Sequence, residues 1–526
     1  MTGPLTGLAG LTRFSLRRSR VLVLVWTAVL VVMAYASAAA TGTLYVTVAD
    51  RESAARAING SPALVALYGP ILDPHSLGEL AMTKMTVTYA VFLMAFAVTL
   101  VRRHTRVEEE SGRAELLGGL ALDQSAPLLS AVLLGALGSL TVSVLAAAAD
   151  IAGGLPVAGS LWFGASWLGL GLVGTGIGAV ASQLSASART CGAISTGAIT
   201  VLFVLRAVGD TTSASWLSWL SPLGWATQLR AWSDPRGWLV LLDAAVAVVL
   251  VLAALALRRR RDLGSGLLPE RPGPATGSPR LADALALNLR VHTAGLAVWT
   301  VGCAVMGALM AAIIPNIGSM LDSAGAREMF ERLGGVGAVQ ETLVAAFVSI
   351  GAVGISCFAV AVVTHGGGEE HDGRTEEVLA TATERSAAFL AVALVALVGA
   401  AWLLLVTGLA MGVGATGSAV SFGGTLAGAL VQLPAVAVVG GLALLGLASG
   451  SRYAVLGWAV VVAFFLVGPV AELLKLPTWV DGFSPYSHVP RVPAESFSWT
   501  PELVLTAIAA TLVGAAWWRY RERDIG

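Results

Sequence analysis

Two stretches of the chain carry the same charged word. Glu108-Glu109-x-x-Gly112-Arg113-x-Glu115 returns 261 residues later as Glu369-Glu370-x-x-Gly373-Arg374-x-Glu376. Carboxylates beside a Gly-Arg pair can make charge-assisted contacts at a point of close approach, which is the chemistry of docking. A histidine precedes each copy (His104, His365), and a serine opens the apolar run that follows each (Ser125, Ser386). A charge run is usually just a solvated loop, but such a loop has no need to keep its pattern in two places. We therefore read both words as docking elements for a partner.

Other candidates fall away on spacing. His365 and His371 with Glu369 and Glu370 hold no helical i, i+4 histidine pair and sit beside Gly366-Gly367-Gly368, so no metal site is expected. Gly169-x-Gly171-x-x-Gly174 matches a dinucleotide fingerprint, yet it lies inside an apolar run with no strand before it; close helix packing is the better reading. The only lysines, Lys84 and Lys475, do not follow glycine, so the chain has no P-loop and is not expected to be an enzyme. Cys191, Cys303 and Cys357 form no CxxC pair. Six ionisable residues stand at membrane depth: Lys84, Asp150, Arg206, Asp243, Glu472 and Lys475. Most fall near the ends of their segments, where snorkelling or local pairing suffices, and Arg206 could pair with Asp243.

The elements that must position these residues are apolar. Of 526 residues, 56% are hydrophobic and 12% charged, with a net charge of +0, which indicates a multi-span membrane protein and no nucleic-acid partner. Segments long enough to cross lie near 20–42, 82–101, 126–149, 160–184, 190–208 and 238–257. A second set lies near 294–314, 342–363, 386–412, 423–447, 453–471 and 501–518. We number these spans 1 to 12; each has the ~20 residues that a helical crossing needs. The expected fold is all-α and polytopic: twelve transmembrane helices as two six-helix halves. Their even span number makes the repeats parallel in topology. The halves are 1–262 and 281–526, joined by a Pro- and Gly-rich linker, 263–280.

The match between halves runs at an offset of 273 at the first span, 261 at the charged words and 262–263 afterwards. Thus the first half has about twelve extra residues between spans 1 and 2. Arginines before span 1, after spans 2 and 6 and at the end of the chain share one face. The positive-inside rule makes that face cytoplasmic, with both termini and both words. Arg17-Arg18-Ser19-Arg20 and the apolar run behind it imitate a secretory signal. However, Leu16-Arg17 with Trp26-Thr27 recurs as Leu289-Arg290 with Trp299-Thr300, so we read a retained span. Residues 5–19 and 281–293 read as short amphipathic interfacial helices. The tryptophans Trp216, Trp219, Trp225, Trp232 and Trp238 suggest short helices half-buried in the outer leaflet.

The charged word just after span 2 resembles the first cytoplasmic loop of type-2 ABC exporter permeases. Ser221-Pro222-Leu223-Gly224-Trp225 before span 6 resembles that family's outer re-entrant segment. Ser484-Pro485-Tyr486-Ser487-His488-Val489-Pro490 is similar to the fused, twelve-span actinobacterial permeases described as polyketide-antibiotic or tetronasin-type exporters. The resemblance covers essentially the whole chain. It implies a plasma-membrane pseudodimer whose coupling helices, near 104–121 and 365–382, dock two copies of a separate, soluble ATP-binding subunit. ATP and Mg would belong to that subunit, with no cofactor on this chain. It also implies a cavity lined by spans 2 and 5 and their counterparts 8 and 11. Those segments offer Tyr89, Phe92, Phe96, Phe203, Phe347, Phe464 and Phe465, which suit a lipophilic or amphipathic, antibiotic- or drug-like cargo. The second word departs from the first by its flanking glycines and His371, so the two docking surfaces need not be equivalent.

Two other classes compete. An ion-coupled secondary transporter with twelve spans needs a coupling charge near mid-membrane and no twin acidic loops. A membrane enzyme on a lipid-linked substrate needs convergent carboxylates or histidines in a large outer loop, and these are only scattered here.

Overall fold

The computed structural model describes residues 7–118, 123–262, 264–268, 275–279, 281–314, 335–415, 420–473 and 482–524. Among them there are helices and turns but no strand. Eleven helices are long and apolar enough to cross a membrane, and the protein is a multi-pass membrane protein. The stretch expected as span 11 forms helix Leu456–Leu473, but its described apolar part ends at Phe464. Twelve crossings are therefore not reached among the described residues. The chain divides into two compact units, Met1–Gly273 and Pro274–Gly526. The linker prolines Pro269, Pro272 and Pro274 lie outside the described residues, as does Lys475; the same holds for the side chains of Phe465 and Glu472.

Each unit builds its core by the same pairings. In the first, span 1 (Leu8–Leu44) lies on span 3 (Ala126–Ala152), and span 4 (Val157–Leu184) packs on spans 2, 3 and 6. In the second, span 7 (Ala284–Ile313) lies on span 9 (Arg385–Gly414). Span 10 packs on span 8 (Gly335–His371) and span 12 (Trp499–Glu522). Lipid tails are as apolar as leucine, so close packing must hold these helices together. The decoy glycines do this work: a Cβ on Gly174 would lie 2.8 Å from the Met94 Cα, and one on Gly178 3.2 Å from the Val98 Cα. Span 4 can approach span 2 backbone to backbone only because these positions have no side chain.

Several helices depart from the sequence expectation. Residues 8–19 are not a separate interfacial helix but run unbroken into span 1, and 284–293 likewise run into span 7. Neither junction contains a proline, and Leu, Arg and Ala all propagate a helix well. At 37 residues the first helix is about 55 Å long, well beyond the ~30 Å of hydrocarbon. Span 10 breaks at Gln432 into Phe422–Val431 and Leu433–Ser449, because Pro434 lacks the N–H that would continue the ladder. Span 2 consists of Leu77–Lys84, a π-helical turn Met85–Tyr89, and Ala90–Arg103. The indole of the buried Trp167 donates to the Met85 carbonyl in that turn at 3.1 Å.

The longer connection between spans 1 and 2 of the first half holds two helices, Val48–Asn59 and Pro62–Tyr68. A capping box between Thr47 and Asp50 starts the first of them. Between spans 5 (Ala188–Thr211) and 6 (Trp238–Arg258), the tryptophan-rich segment folds as short helices Trp216–Trp219 and Pro222–Gln228. Trp216 is 62% exposed, and Trp219 stacks on Trp238 with ring centroids 6.3 Å apart.

Candidate functional site: a duplicated helix–glycine–helix element

Both charged words fold alike. In the first, Arg106–Glu110 ends at Ser111-Gly112 and Arg113–Gly118 begins a new helix. In the second, the span 8 helix ends at His371 and Arg374–Leu379 follows. The joint is a left-handed glycine in each case, Gly112 at φ 71° and Gly373 at φ 78°. The Gly112 N–H donates to the Glu109 carbonyl at 3.1 Å, and the Gly373 N–H to the Glu370 carbonyl at 3.2 Å. The backbone N–H groups of Glu115 and Glu376 then donate back to the glycine carbonyls at 3.2 and 3.1 Å. An alanine Cβ at either position would meet nothing within 4 Å, so the requirement lies in the backbone alone. Gly112→Ala and Gly373→Ala should each cost about 1–2 kcal/mol, read as a lower midpoint in thermal unfolding of the solubilised protein. Gly10, equally uncrowded but at an ordinary helical φ, should tolerate alanine without loss.

The two adjacent carboxylates that open each word point different ways. The Glu109 side chain is only 7% exposed and sits within an arginine cluster. Arg261 grips it with two bonds, Nη2 to Oε1 at 2.8 Å and Nη1 to Oε2 at 2.9 Å. Arg106 Nη1 adds a bond at 3.0 Å, the Gly264 N–H one at 3.3 Å, and Arg258 stands 3.8 Å away. Arg106 is itself fully buried and donates to the carbonyls of Ser182 and Ser265. Arg261 also donates to Gln183 Oε1 at 2.8 Å. The cluster thus fastens the word to the ends of spans 4 and 6.

The second unit repeats this clamp in simpler form. Glu370 pairs with Arg523, which also donates to the Leu447 carbonyl at 3.0 Å. Arg261 and Arg523 stand 262 residues apart, in step with the words they hold. Gly367 occupies the place matching Arg106, so the second clamp has one arginine where the first has several. Sequence reasoning had counted Arg261 and Arg523 only as charges that set orientation. Their offset of 262, within one residue of the 261 between Glu109 and Glu370, was the signal that could have found the pairing.

The first acid of each word faces the N-terminal helix of its unit. Glu108 pairs with Arg18 of span 1 and approaches Arg113 at 3.6 Å. Glu369 pairs with Arg374 and lies 3.6 Å from His365. Ser19 Oγ meets His104 Nε2 at 2.6 Å, whereas at the matching place His292 meets His365 edge to face at 5.1 Å. A cleft of about 230 Å³ opens there in the first unit, beside Phe14, Arg18, His104 and Glu108. Its counterpart in the second, beside Leu287, His365 and Glu369, holds about 90 Å³. Arg113 and Arg374 remain 51% and 56% exposed, and Glu115 and Glu376 are exposed as well. These four, not Glu109 and Glu370, are available to a partner.

Within its own unit, each described aromatic residue expected around a cavity has its own surroundings. Phe96 is fully buried and stacks on Trp26, so it packs as core. Tyr89 reaches Met33 Sδ at 3.7 Å, while Phe92 is exposed. Phe203 lies under the Arg206 guanidinium at 4.8 Å. Phe347 packs beside Val344 and Ala311. Phe464 lines a cavity of about 450 Å³ in the second unit, with Ser349, Ile350, Val353, Gln432 and Tyr486. Among the described residues no group of three or more His, Cys, Asp or Glu could hold a metal ion.

Arg206 does not pair with Asp243. It bonds Asp210 one helical turn on, at 3.3 Å, and donates to the carbonyls of Val65 and Ala66. Asp243 instead faces Gly169 across spans 4 and 6. The sequence repeat did not point to a carbonyl pair of helix Pro62–Tyr68 as the arginine's partner.

Over 529 aligned residues the chain is 37% identical to the multidrug efflux system permease protein Rv1217c of Mycobacterium tuberculosis (strain ATCC 25618 / H37Rv), covering 99% of this chain and 95% of that protein. The chain belongs to this permease family. Residues 281–521 also match the family described as the C-terminal domain of the multidrug efflux system permease Rv1217c. That match opens three residues before the helix Ala284–Ile313 and takes in the second charged word and nearly all of span 12.

Proposed function

We propose that this chain is the permease subunit of an ATP-driven ABC exporter that moves lipophilic or amphipathic, drug-like molecules out of the cell. The observation that carries this reading is the duplicated helix–glycine–helix element, built alike in both units and clamped to the last span of each. A partner that binds twice needs two such surfaces. In this reading both words face the cytoplasm, twelve spans form a pseudodimer, and two copies of a soluble ATP-binding subunit dock at Arg113, Glu115, Arg374 and Glu376. ATP and Mg are bound and used on that subunit. The permease relative supports the efflux role by its name.

The test is purification of the tagged chain from native membranes, with native mass spectrometry of the complex. Two ATP-binding subunits per chain are expected. They should be lost when Arg113→Glu, Glu115→Arg, Arg374→Glu and Glu376→Arg are combined, with the chain itself still folded. A partnerless chain that still exports cargo would overturn the proposal.

One observation favours ion coupling instead. Asp150 is fully enclosed, and neither of its carboxylate oxygens has a hydrogen-bond partner; Asp243 is 2% exposed with Oδ1 in the same condition. Export that survives nucleotide depletion but fails when the proton gradient collapses would select this second reading.

A further inference from the structure

At the end of the first unit remote from the charged words, a cavity of about 30 Å³ lies between spans 2 and 4 and the segment before span 6. Five of its lining residues each carry a buried polar atom that has no hydrogen-bond partner in the protein. They are Glu79 Oε2, Ser166 Oγ, Thr227 Oγ1, Arg230 Nε and Trp232 Nε1. Ser166 is only 4% exposed. Native interiors leave few such groups unsatisfied, and five around one small space call for an occupant.

The backbone is shaped around the same space. Arg230 takes φ 54° and is the one non-glycine residue with positive φ among the described residues. Thr86, another lining residue, sits in the π-helical turn of span 2. Left-handed non-glycine residues and π turns both concentrate at working sites.

Size and chemistry choose the occupant. A water needs roughly 10–15 Å³ of such volume and two to four polar partners, so about two waters fit. Bonded to one another and to the five atoms, they would make about three to four bonds each. A metal cation is disfavoured by the Arg230 guanidinium, and a larger solute by the volume. We infer that this cavity is a built hydration site, in which a pair of waters joins the segment 222–232 to spans 2 and 4. Among the described residues the second unit does not repeat these polar groups. At the repeat offset of 263, Pro490 and Pro493 replace Thr227 and Arg230 and bring no side-chain donor. Gln340, which answers Glu79, donates to the Ile314 carbonyl at 3.2 Å.

Radiolytic labelling of the full chain in lipid nanodiscs tests the site, using a short X-ray pulse, oxygen-18 water added on the millisecond scale, and mass spectrometry. Radicals form at bound water, so Trp232 should be oxidised about fivefold or more faster than the fully buried Trp167, and should retain oxygen-16 after mixing. Thr227→Val should lower Trp232 labelling severalfold and leave the exposed Trp216 unchanged. Labelling of Trp232 at the Trp167 rate would mean a dry cavity and overturn the inference. Immediate exchange to oxygen-18 would overturn it too, by showing bulk solvent instead of held water. Should Thr227→Val fail to fold, the isotope measurement on the unaltered chain still decides.

Discussion

Glu109→Arg should leave little folded protein in the membrane. The substitution removes the acceptor of two arginines whose side chains are 0% and 2% exposed, Arg106 and Arg261, and adds a third cation among them. Breaking a buried ion pair costs about 3–5 kcal/mol because the surviving charge is stranded, and here two are stranded. The amount of chain surviving mild heating after detergent extraction should fall at least tenfold. Glu109→Gln, which keeps one carbonyl oxygen for Arg261, should lose less. Swapping the pair tests the geometry: Glu370→Arg with Arg523→Glu should recover most of the stability, since Glu370 has one arginine partner. Glu109→Arg with Arg261→Glu should recover less, because Arg106 and Arg258 remain beside position 109. Equal rescue in the two halves would mean that the clamps are not built as described.

The second large effect is expected at Arg206. Its side chain is fully buried, and it joins Asp210 to the last-turn carbonyls of helix Pro62–Tyr68. Asp210 is held from its other side by Ser218 at 2.6 Å. Arg206→Met would leave the enclosed Asp210 carboxylate without its cation and remove a donor from the Ala66 carbonyl, while Val65 keeps the Gly69 N–H, a loss of about 3–5 kcal/mol. Arg206→Lys should rescue poorly, since one ammonium cannot reproduce the planar fork that reaches three oxygens in different directions. Arg206→Met with Asp210→Asn should be milder than Arg206→Met alone, because the stranded charge goes with its partner. Limited proteolysis between residues 45 and 76 is the readout. Faster cleavage there, with the rest of unit 1 intact, would show that Arg206 anchors the helices Val48–Asn59 and Pro62–Tyr68.

Much of the protein was legible without coordinates. Apolar runs of about twenty residues announce themselves by length, because backbone groups in lipid must be satisfied inside a helix. The duplication was legible for a related reason: Glu-Glu-x-x-Gly-Arg-x-Glu is a local pattern, and its glycine has a local backbone task that does not depend on what surrounds it. Gly112 and Gly373 take the same left-handed turn as a result. Helix boundaries were harder. Span 1 begins at Leu8 and not near residue 20, since arginines that end an apolar run do not end a helix.

The partners of charged residues were not legible, and they decide how the site works. Glu109 and Glu370 stand among the residues that the words offer for docking, yet both are turned inward to Arg261 and Arg523, 152 and 153 residues away. Arg206 seemed to have an acid waiting on span 6, but its acid lies one helical turn away on its own helix. Spacing along one helix or one turn is set by backbone geometry, which the chain order contains. Which distant end arrives beside a buried charge depends on how six helices pack, and only the folded unit settles that.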